Sequence, residues 1–166
     1  MTDATPTTIP PISSRREFCT HACHAAAAVA IGSVLQGCGG GGGNPSGPSI
    51  PPSTPLAVIN GTVAGSAITV SVDGASPLAA VGGAALVRSS AGDVLTYRTA
   101  QDAFAAVTAM CTHEACTITG LNGQTYVCPC HGSQFNITGS VLSGPATRSL
   151  RTYATSLSGS TLSIAL

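Results

Sequence analysis

From about residue 56 onward, short runs of apolar and β-branched residues alternate with clusters of Gly, Asn, Asp and Ser. Runs of this length that end in turn residues are typical of β-strands. Strand-like runs cover residues 58–61, 67–74, 85–88 and 94–98, and a terminal hairpin is predicted in which 150–157 and 161–166 flank Ser158-Gly159-Ser160. No long stretch has helical periodicity, and only residues 101–106 suggest a brief helical turn. The pattern therefore predicts an all-β domain, either a sandwich or a small barrel.

The first 37 residues indicate an export signal rather than part of this fold. Ser14-Arg15-Arg16-Glu17-Phe18 resembles a twin-arginine signal, and the Ala-rich stretch 22–35 that follows is too short to span a bilayer well. Leu35-Gln36-Gly37-Cys38 resembles a bacterial lipobox, in which cleavage before the cysteine would leave Cys38 N-terminal and lipid-modified. Two alternatives stay open, namely cleavage elsewhere or an uncleaved signal that anchors the protein.

A tether is predicted between the signal and the domain. Residues 38–55 contain five consecutive glycines followed by a Pro-rich stretch, a composition that cannot bury an apolar face. The tether is either a passive spacer or a leash that lets the domain move between two partners, and composition does not separate these roles. The remaining residues, 56–166, are enough for one domain.

The charge composition excludes one class of partner. Six basic residues balance six acidic ones, there is no Lys and no Trp, and the formal net charge is zero. Such a surface argues against nucleic-acid binding. It also predicts docking that depends only weakly on salt, since there is little net charge to steer it.

Cysteine and histidine concentrate in two segments of the predicted domain, apart from a Cys- and His-containing stretch at 19–24 in the signal and Cys38. Cys111-Thr112-His113 provides one Cys-His pair and Cys128-Pro129-Cys130-His131 provides a second. Two thiolates and two imidazoles make a four-ligand metal site, for which structural zinc is the simplest occupant. Zinc would explain these four ligands but would leave Cys116 and Cys130 without a role.

The two segments resemble the cluster-binding part of the Rieske [2Fe–2S] family. The matching residues lie within 105–150 and comprise Cys111-Thr112-His113, Cys116, Cys128-Pro129-Cys130-His131-Gly132-Ser133 and Gly144-Pro145-Ala146. In such centres two His replace two Cys on one of the irons. The resemblance implies a Rieske-type antiparallel β-sandwich with a small cluster-binding subdomain.

The same resemblance implies a role for each matching residue. Cys111 and Cys128 would bind one iron, and His113 and His131 the other. Cys116 and Cys130 would form a disulfide between the two ligand segments, which would persist only in an oxidising compartment; two buried free thiols are the alternative. Pro145 would lie in a loop that covers the cluster.

Three nearby positions bear on the reduction potential. Ser133 matches a family hydroxyl that donates to a bridging sulfide, which favours the reduced cluster. Phe135 stands where high-potential members usually have Tyr, so we expect a potential below theirs. Glu114 stands where Leu is frequent, and it either disfavours reduction from beside the His ligands or is a solvated loop residue.

These features predict a one-electron carrier tethered at the periplasmic or outer face of a bacterial membrane. The favoured function is the iron–sulfur subunit of a quinol-oxidising cytochrome bc-type complex, with cytochrome b or c and quinol as partners. The alternatives are the Rieske subunit of a molybdenum oxidoreductase such as arsenite oxidase, whose partner is a molybdopterin subunit, or a stand-alone carrier. A zinc-stabilised binding module is a more remote alternative, and any enzyme activity would belong to the whole complex.

Overall fold

The computed structural model describes residues 49–166 of the chain, and these residues form strands and no α-helix. The predicted signal and Cys38 lie outside the described residues. Sheet 1 has the spatial order β1 (Thr54–Pro55), β8 (Gly120–Asn122), β9 (Thr125–Val127), β10 (Gln134–Asn136), β11 (Val141–Ser143). Sheet 2 has the order β12 (Thr152–Tyr153), β7 (Ala103–Thr108), β6 (Val94–Ala100), β5 (Ala84–Arg88), β2 (Ala57–Asn60). Sheet 3 has the order β13 (Thr155–Ser158), β14 (Thr161–Ala165), β4 (Ala67–Ser71), β3 (Thr62–Ala64).

Sheet 2 is the middle layer because its strands are apolar on both faces. Ala85 and Val87 of β5 pack into one core with residues of sheet 3, such as Leu162. Leu86, which lies between them on β5, packs into a second core with sheet 1 residues that include Tyr126. Successive side chains of a strand point to opposite faces, so an uninterrupted apolar run can fill two cores at once. Nearly all strand pairs are antiparallel, and β2 with β5 is the parallel exception.

The predicted all-β class and strand runs are confirmed, except that the run 67–74 is a strand only over Ala67–Ser71. The helical turn predicted over 101–106 is wrong. Residues 101–102 form a turn, and Ala103–Thr108 is a strand between β6 and β12. Phe104 fills the core shared with sheet 3, whereas Val107 fills the other core. Burial on both faces thus outweighs the helical preference of the alanines in this run.

The predicted terminal hairpin is confirmed for β13 and β14, which pair from Thr155↔Ile164 to Ser158↔Thr161. The residues just before it behave differently, because Thr152–Tyr153 pairs with β7 in sheet 2. The chain therefore passes from sheet 2 to sheet 3 within this segment.

The last residues of the predicted tether are part of the described structure. Thr54–Pro55 forms the edge strand β1 against β8, and the Thr54 hydroxyl donates to the carbonyl of Leu121 at 3.0 Å. This end of the tether therefore runs along sheet 1, and the rest of the predicted tether, up to residue 48, lies outside the described residues. Within residues 49–166 there is no helix long and apolar enough to cross a membrane.

Candidate metal centre

Two loops carry the predicted ligands, and we call them loop 1 (Cys111–Cys116) and loop 2 (Cys128–Ser133). Loop 1 follows β7, and loop 2 connects β9 to β10. In loop 1 the N–H of Cys111 donates to the carbonyl of Cys116 at 2.8 Å, and the N–H of Ala115 donates back to the carbonyl of Cys111 at 2.9 Å. Each end of the loop is thereby closed by a backbone hydrogen bond.

Loop 2 repeats this hydrogen-bonding pattern position by position. The N–H of Cys128 donates to the carbonyl of Ser133 at 2.9 Å, and the N–H of Gly132 donates to the carbonyl of Cys128 at 3.0 Å. The fifth residue of both loops has a left-handed backbone, with φ of 52° at Ala115 and 71° at Gly132. The two ligand segments therefore share one backbone design, which their different Cys-His spacings do not reveal.

A disulfide joins the two loops. Cys116 at the end of loop 1 is bonded to Cys130 in loop 2, as the family resemblance implied. The alternative of two buried free thiols at these positions is wrong, and Cys130 is in fact exposed. The bond holds together two loops that belong to different parts of the sheet structure.

The two remaining cysteines in the described residues are free, buried and in contact with one another. Cys111 is 3% exposed and Cys128 is 1% exposed. Burial raises the pKa of the Cys128 thiol, and the side chain of Cys111 raises it further, whereas the backbone N–H groups of Cys130 and His131 act in the opposite direction. Two adjacent buried thiols ionise readily only beside a cation, which is the arrangement of thiolate metal ligands.

The two imidazoles lie at the surface, next to each other. The ring centroids of His113 and His131 are 5.0 Å apart with the planes nearly perpendicular, and the side chains are 28% and 36% exposed. Glu114 lies against both, since its carboxylate oxygens are 4.0 Å from Nε2 of His113 and 3.7 Å from Nδ1 of His131. Glu114 is also 61% exposed, so it is a solvated loop residue whose carboxylate lies beside both imidazoles.

Ser133 connects loop 2 to the segment Gly144-Pro145-Ala146. The Ser133 side chain is fully buried, and its Oγ accepts a hydrogen bond from the N–H of Ala146 at 3.1 Å. Its own hydrogen stays free to donate to another group. Gly144 allows this close approach, because a Cβ at this position would lie 2.6 Å from the Cα of Ser133. Pro145 itself is exposed.

Phe135 is paired across the sheet with Tyr126, an aromatic residue that the motif pattern did not single out. Phe135 on β10 is opposite Tyr126 on β9, and both side chains are fully buried. Among the described residues the Tyr126 hydroxyl has no hydrogen-bond partner, and burial, with a smaller contribution from Tyr97, raises its pKa far above the usual value. The β-branched and aromatic run Thr125-Tyr126-Val127, directly before Cys128, is the sequence feature that predicts a buried strand here.

This donor set fits a [2Fe–2S] cluster with two Cys and two His ligands. The structure places a buried thiol pair and a partly exposed imidazole pair on two linked loops, with a free hydroxyl hydrogen nearby. A cluster with one thiolate-bound iron and one imidazole-bound iron requires such a division. A single zinc ion would require neither the separation into two pairs nor the disulfide.

The model of the "Rieske [2Fe-2S] domain" family matches residues 65–154, which is more than half of the chain. The chain therefore belongs to the Rieske family, and its cofactor is a [2Fe–2S] cluster.

Two relatives whose names state a function match a segment shorter than the family match. The chain is 36% identical over 63 residues to the cytochrome b6-f complex iron-sulfur subunit of Chlorobaculum thiosulfatiphilum, which covers 37% of this chain and 35% of that protein. It is 51% identical over 45 residues to the subunit of the same name from Prochlorococcus marinus (strain MIT 9303), and this match covers 26% of this chain and 25% of that protein. The matched segments thus span about a third or a quarter of these relatives.

Among solved structures, the plasma membrane Rieske protein PetC3 from the cyanobacterium Synechocystis PCC 6803 is 35% identical, with a TM-score of 0.49. That comparison covers 58% of this chain and 99% of the other.

Proposed function

We propose that this protein is the electron-carrying iron–sulfur subunit of a quinol-oxidising cytochrome bc-type complex. In this proposal Cys111 and Cys128 hold one iron, and His113 and His131 hold the other. When bound, the cluster supplies a one-electron centre whose imidazole ligands keep its potential above that of a four-cysteine cluster.

The difference in exposure between the two ligand pairs carries this proposal. The thiols are almost completely buried, whereas the imidazoles are about one-third exposed. A redox partner can therefore approach the imidazole side closely, while the protein shields the thiol side from water. A quinol hydroxyl could likewise reach an exposed imidazole nitrogen, which neutral histidine offers as a hydrogen-bond acceptor or donor.

Residues around the ligands are expected to set the potential. Ser133 can donate its free hydrogen toward the site and so favour an added negative charge. Phe135 offers no donor and contributes only an apolar wall. Glu114 adds a negative charge next to the imidazoles and disfavours reduction. We therefore propose a potential lower than that of family members with a tyrosine at the position of Phe135.

The relatives support a bc-type complex over the alternatives. The named subunits belong to cytochrome b6-f complexes, so a cytochrome partner is favoured over a molybdopterin subunit or a stand-alone role. The family match leaves no support for a zinc-stabilised binding module.

We also propose that the domain works on the outer side of the membrane, held by the lipid-modified Cys38. The Cys116–Cys130 disulfide supports an oxidising compartment, because reducing conditions in the cytoplasm oppose such bonds. Mass spectrometry of the protein isolated from membranes would test this, since a mature N-terminus at Cys38 with attached lipid is expected. An unmodified N-terminus elsewhere would contradict the anchor.

The proposed function is tested on the full chain isolated from membranes in mild detergent. We expect a visible absorption spectrum, an EPR signal on reduction, and co-purification with a cytochrome b that is reduced by quinol. Cys128→Ser should remove the EPR signal, whereas Ser143→Ala, an exposed hydroxyl in sheet 1, should retain it. A colourless, EPR-silent protein would contradict electron transfer, and recovery of a molybdopterin subunit in place of cytochrome b would favour the molybdenum alternative.

A further inference from the structure

The four arginines of the described residues occupy different electrostatic environments. Arg88 lies 3.9 Å from the carboxylate of Asp93. Arg98 is buried, and its guanidinium donates to backbone carbonyls such as that of Leu78 at 3.1 Å. Arg148 and Arg151 are exposed, and within residues 49–166 neither has a carboxylate within 4.0 Å. The exposed positive charge without a carboxylate partner in this part of the chain thus comes from these two residues, whereas Arg98 is buried among backbone carbonyls.

Both of these arginines line one groove beside loop 1. The groove has a volume of about 570 Å³, within the range of ordinary ligand sites. Its other walls include the loop residues His113 and Glu114, the ring of Tyr153 and the exposed side chain of Met110. An occupant of this groove would therefore touch a residue proposed to hold the cluster.

Contacts within the protein hold this wall in position. The Thr112 hydroxyl of loop 1 donates to the backbone carbonyl of Arg148. The Arg151 guanidinium lies over the Tyr153 ring, 4.8 Å from its centroid, which limits its freedom before any partner arrives. Ordering the Arg151 guanidinium in advance reduces the entropy that an anionic partner would have to remove.

Asp102 lies at the other end of the domain, whereas Asp93 lies near the groove, where it is paired with Arg88. Asp102 is in the turn between β6 and β7, whereas Arg151 is at the opposite end of β7, where its carbonyl accepts a hydrogen bond from the N–H of Thr108. A strand of this length separates the two by about 20 Å at about 3.3 Å per residue. The domain is neutral in total but has its exposed, unpartnered positive charge near the imidazoles.

We propose that this groove receives a carboxylate-bearing surface of the protein that exchanges electrons with the domain. The proposal rests on the proposed electron-transfer function and adds the chemistry of the partner. Two arginines against the single Glu114 leave the groove lining with a net positive charge. Glu114 faces the imidazoles, so the arginine end of the groove is the part open to a carboxylate. A partner held there lies next to His113, where a short electron path is needed.

Electron transfer to small ions of opposite charge tests the proposal. The reduced full-length protein is mixed with ferricyanide, an anion, or with tris(phenanthroline)cobalt(III), a cation; each accepts one electron from the cluster. Arg148→Gln and Arg151→Gln are compared with Arg88→Gln, which removes the same charge from outside the groove. At low ionic strength we expect the two groove variants to react about threefold more slowly with ferricyanide, and not more slowly with the cobalt complex. Arg88→Gln should slow the reaction with ferricyanide less than either groove variant, because Arg88 lies outside the groove and the Coulomb interaction falls with distance.

A binding measurement tests the carboxylate chemistry without electron transfer. A fluorescent hexaglutamate peptide is titrated with the full-length protein and followed by anisotropy, with phosphatidylglycerol vesicles measured in parallel. We expect peptide binding that weakens at least threefold in each groove variant and is lost near 1 M salt, where the Debye length is about 3 Å.

Each other outcome would overturn the proposal. Equal slowing by all three arginine variants would show an effect of net charge alone, and no slowing would show that the groove is not used. Arginine-dependent binding to the vesicles without peptide binding would assign the groove to a lipid surface. If the protein lacks a cluster, the proposed function fails, whereas the peptide titration still decides whether the groove recognises carboxylates.

Discussion

Loop 1 and loop 2 have the same backbone hydrogen bonds but place their chemistry at different positions. The histidine is the third residue of loop 1 and the fourth of loop 2, and the disulfide cysteine is the sixth residue of loop 1 and the third of loop 2. A shared backbone therefore does not require a shared motif. Two loops of one shape can present a thiol inward and an imidazole outward through different spacings.

The support around the two loops also differs. Loop 2 lies between the paired strands β9 and β10, and Ser133 ties it to Ala146. Loop 1 is flanked by an isolated bridge between Met110 and Thr117 and is tied to Arg148 by the Thr112 hydroxyl, and only Cys111 of its six residues is buried. We conclude that loop 2 is held mainly by the sheet, whereas loop 1 depends more on the disulfide.

Removing the disulfide should give the largest effect on this comparison. The double variant Cys116→Ser and Cys130→Ser opens a link between residues 14 apart, and a ring of about this size stabilises a fold by about 3 kcal/mol. We expect the cluster absorbance to disappear at a lower guanidinium concentration than the backbone circular dichroism. The native protein should show the two transitions closer together. Unchanged midpoints would mean that loop 1 does not depend on the disulfide.

Ser133→Ala should weaken loop 2 by about 2 kcal/mol, because the buried N–H of Ala146 loses its acceptor. Chemical denaturation measures this change, and redox titration should in addition show a lower potential. Ser143→Ala is the control, since its hydroxyl is exposed and accepts from Nε2 of Gln134 at 2.7 Å. The control should cost less than about 0.5 kcal/mol. Equal losses of stability in Ser133→Ala and Ser143→Ala would show that the Ser133 hydrogen bond gives loop 2 no special support.

Exchanging the fifth residues tests whether the loops share one backbone. Gly132→Ala should lower the free energy of unfolding by about 1–2 kcal/mol, since a left-handed conformation is costly for residues with a Cβ. The new Cβ would also lie 3.2 Å from Cδ of Pro51. Ala115→Gly should raise stability by about 0.5–1 kcal/mol, because it relieves the same cost in loop 1. Thermal unfolding of both variants measures these changes in stability. If both substitutions raise stability, or both lower it, the shared backbone is contradicted.

Phe135→Tyr should raise the reduction potential, because it adds a hydroxyl donor beside the thiol side of the site. We expect up to a tenfold change in the one-electron reduction equilibrium, or about 59 mV. Tyr126→Phe is the matched control, as it removes a hydroxyl from the cross-strand neighbour. It should leave the potential nearly unchanged. A redox titration in which Phe135→Tyr has no effect would disprove the expected role of this position.

Glu114→Gln should raise the potential by the smallest amount. The carboxylate lies near both imidazoles but is 61% exposed, so water and salt screen its charge. We expect about a twofold change in the reduction equilibrium at low salt, or about 18 mV, which should fall at high salt. Asp93→Asn, whose carboxylate lies near Arg88, is the control for a general loss of negative charge. A shift of equal size in both variants would show that Glu114 has no special position.

Local patterns in the sequence were sufficient for the fold class and for the main strands. The alternation in 67–71 and the apolar run 85–88 became β4 and β5, because period-two burial is a property of a few consecutive residues. Residues 101–106 were misassigned because their strand depends on pairing with β12, which is about 45 residues away in sequence, and on burial in two cores that distant residues complete. The short strands of sheet 1 were not resolved by pattern either, as two or three residues contain too little periodicity.

The sequence by itself determined the all-β class and the presence of two Cys-His segments with two extra cysteines, because metal ligands must be particular residue types. Only the tertiary structure decided that Cys111 and Cys128 are buried together, that His113 and His131 meet at the surface, and that Ala115 matches Gly132. It also decided that the charges are unevenly distributed in a chain of zero net charge. Weak salt dependence stays a prediction for the whole domain, whereas Arg148 and Arg151 predict a local effect. Which side chains are buried, and where the charges lie on the surface, depend on the register of strands that are far apart in sequence. Composition and local patterns carry no information about that register.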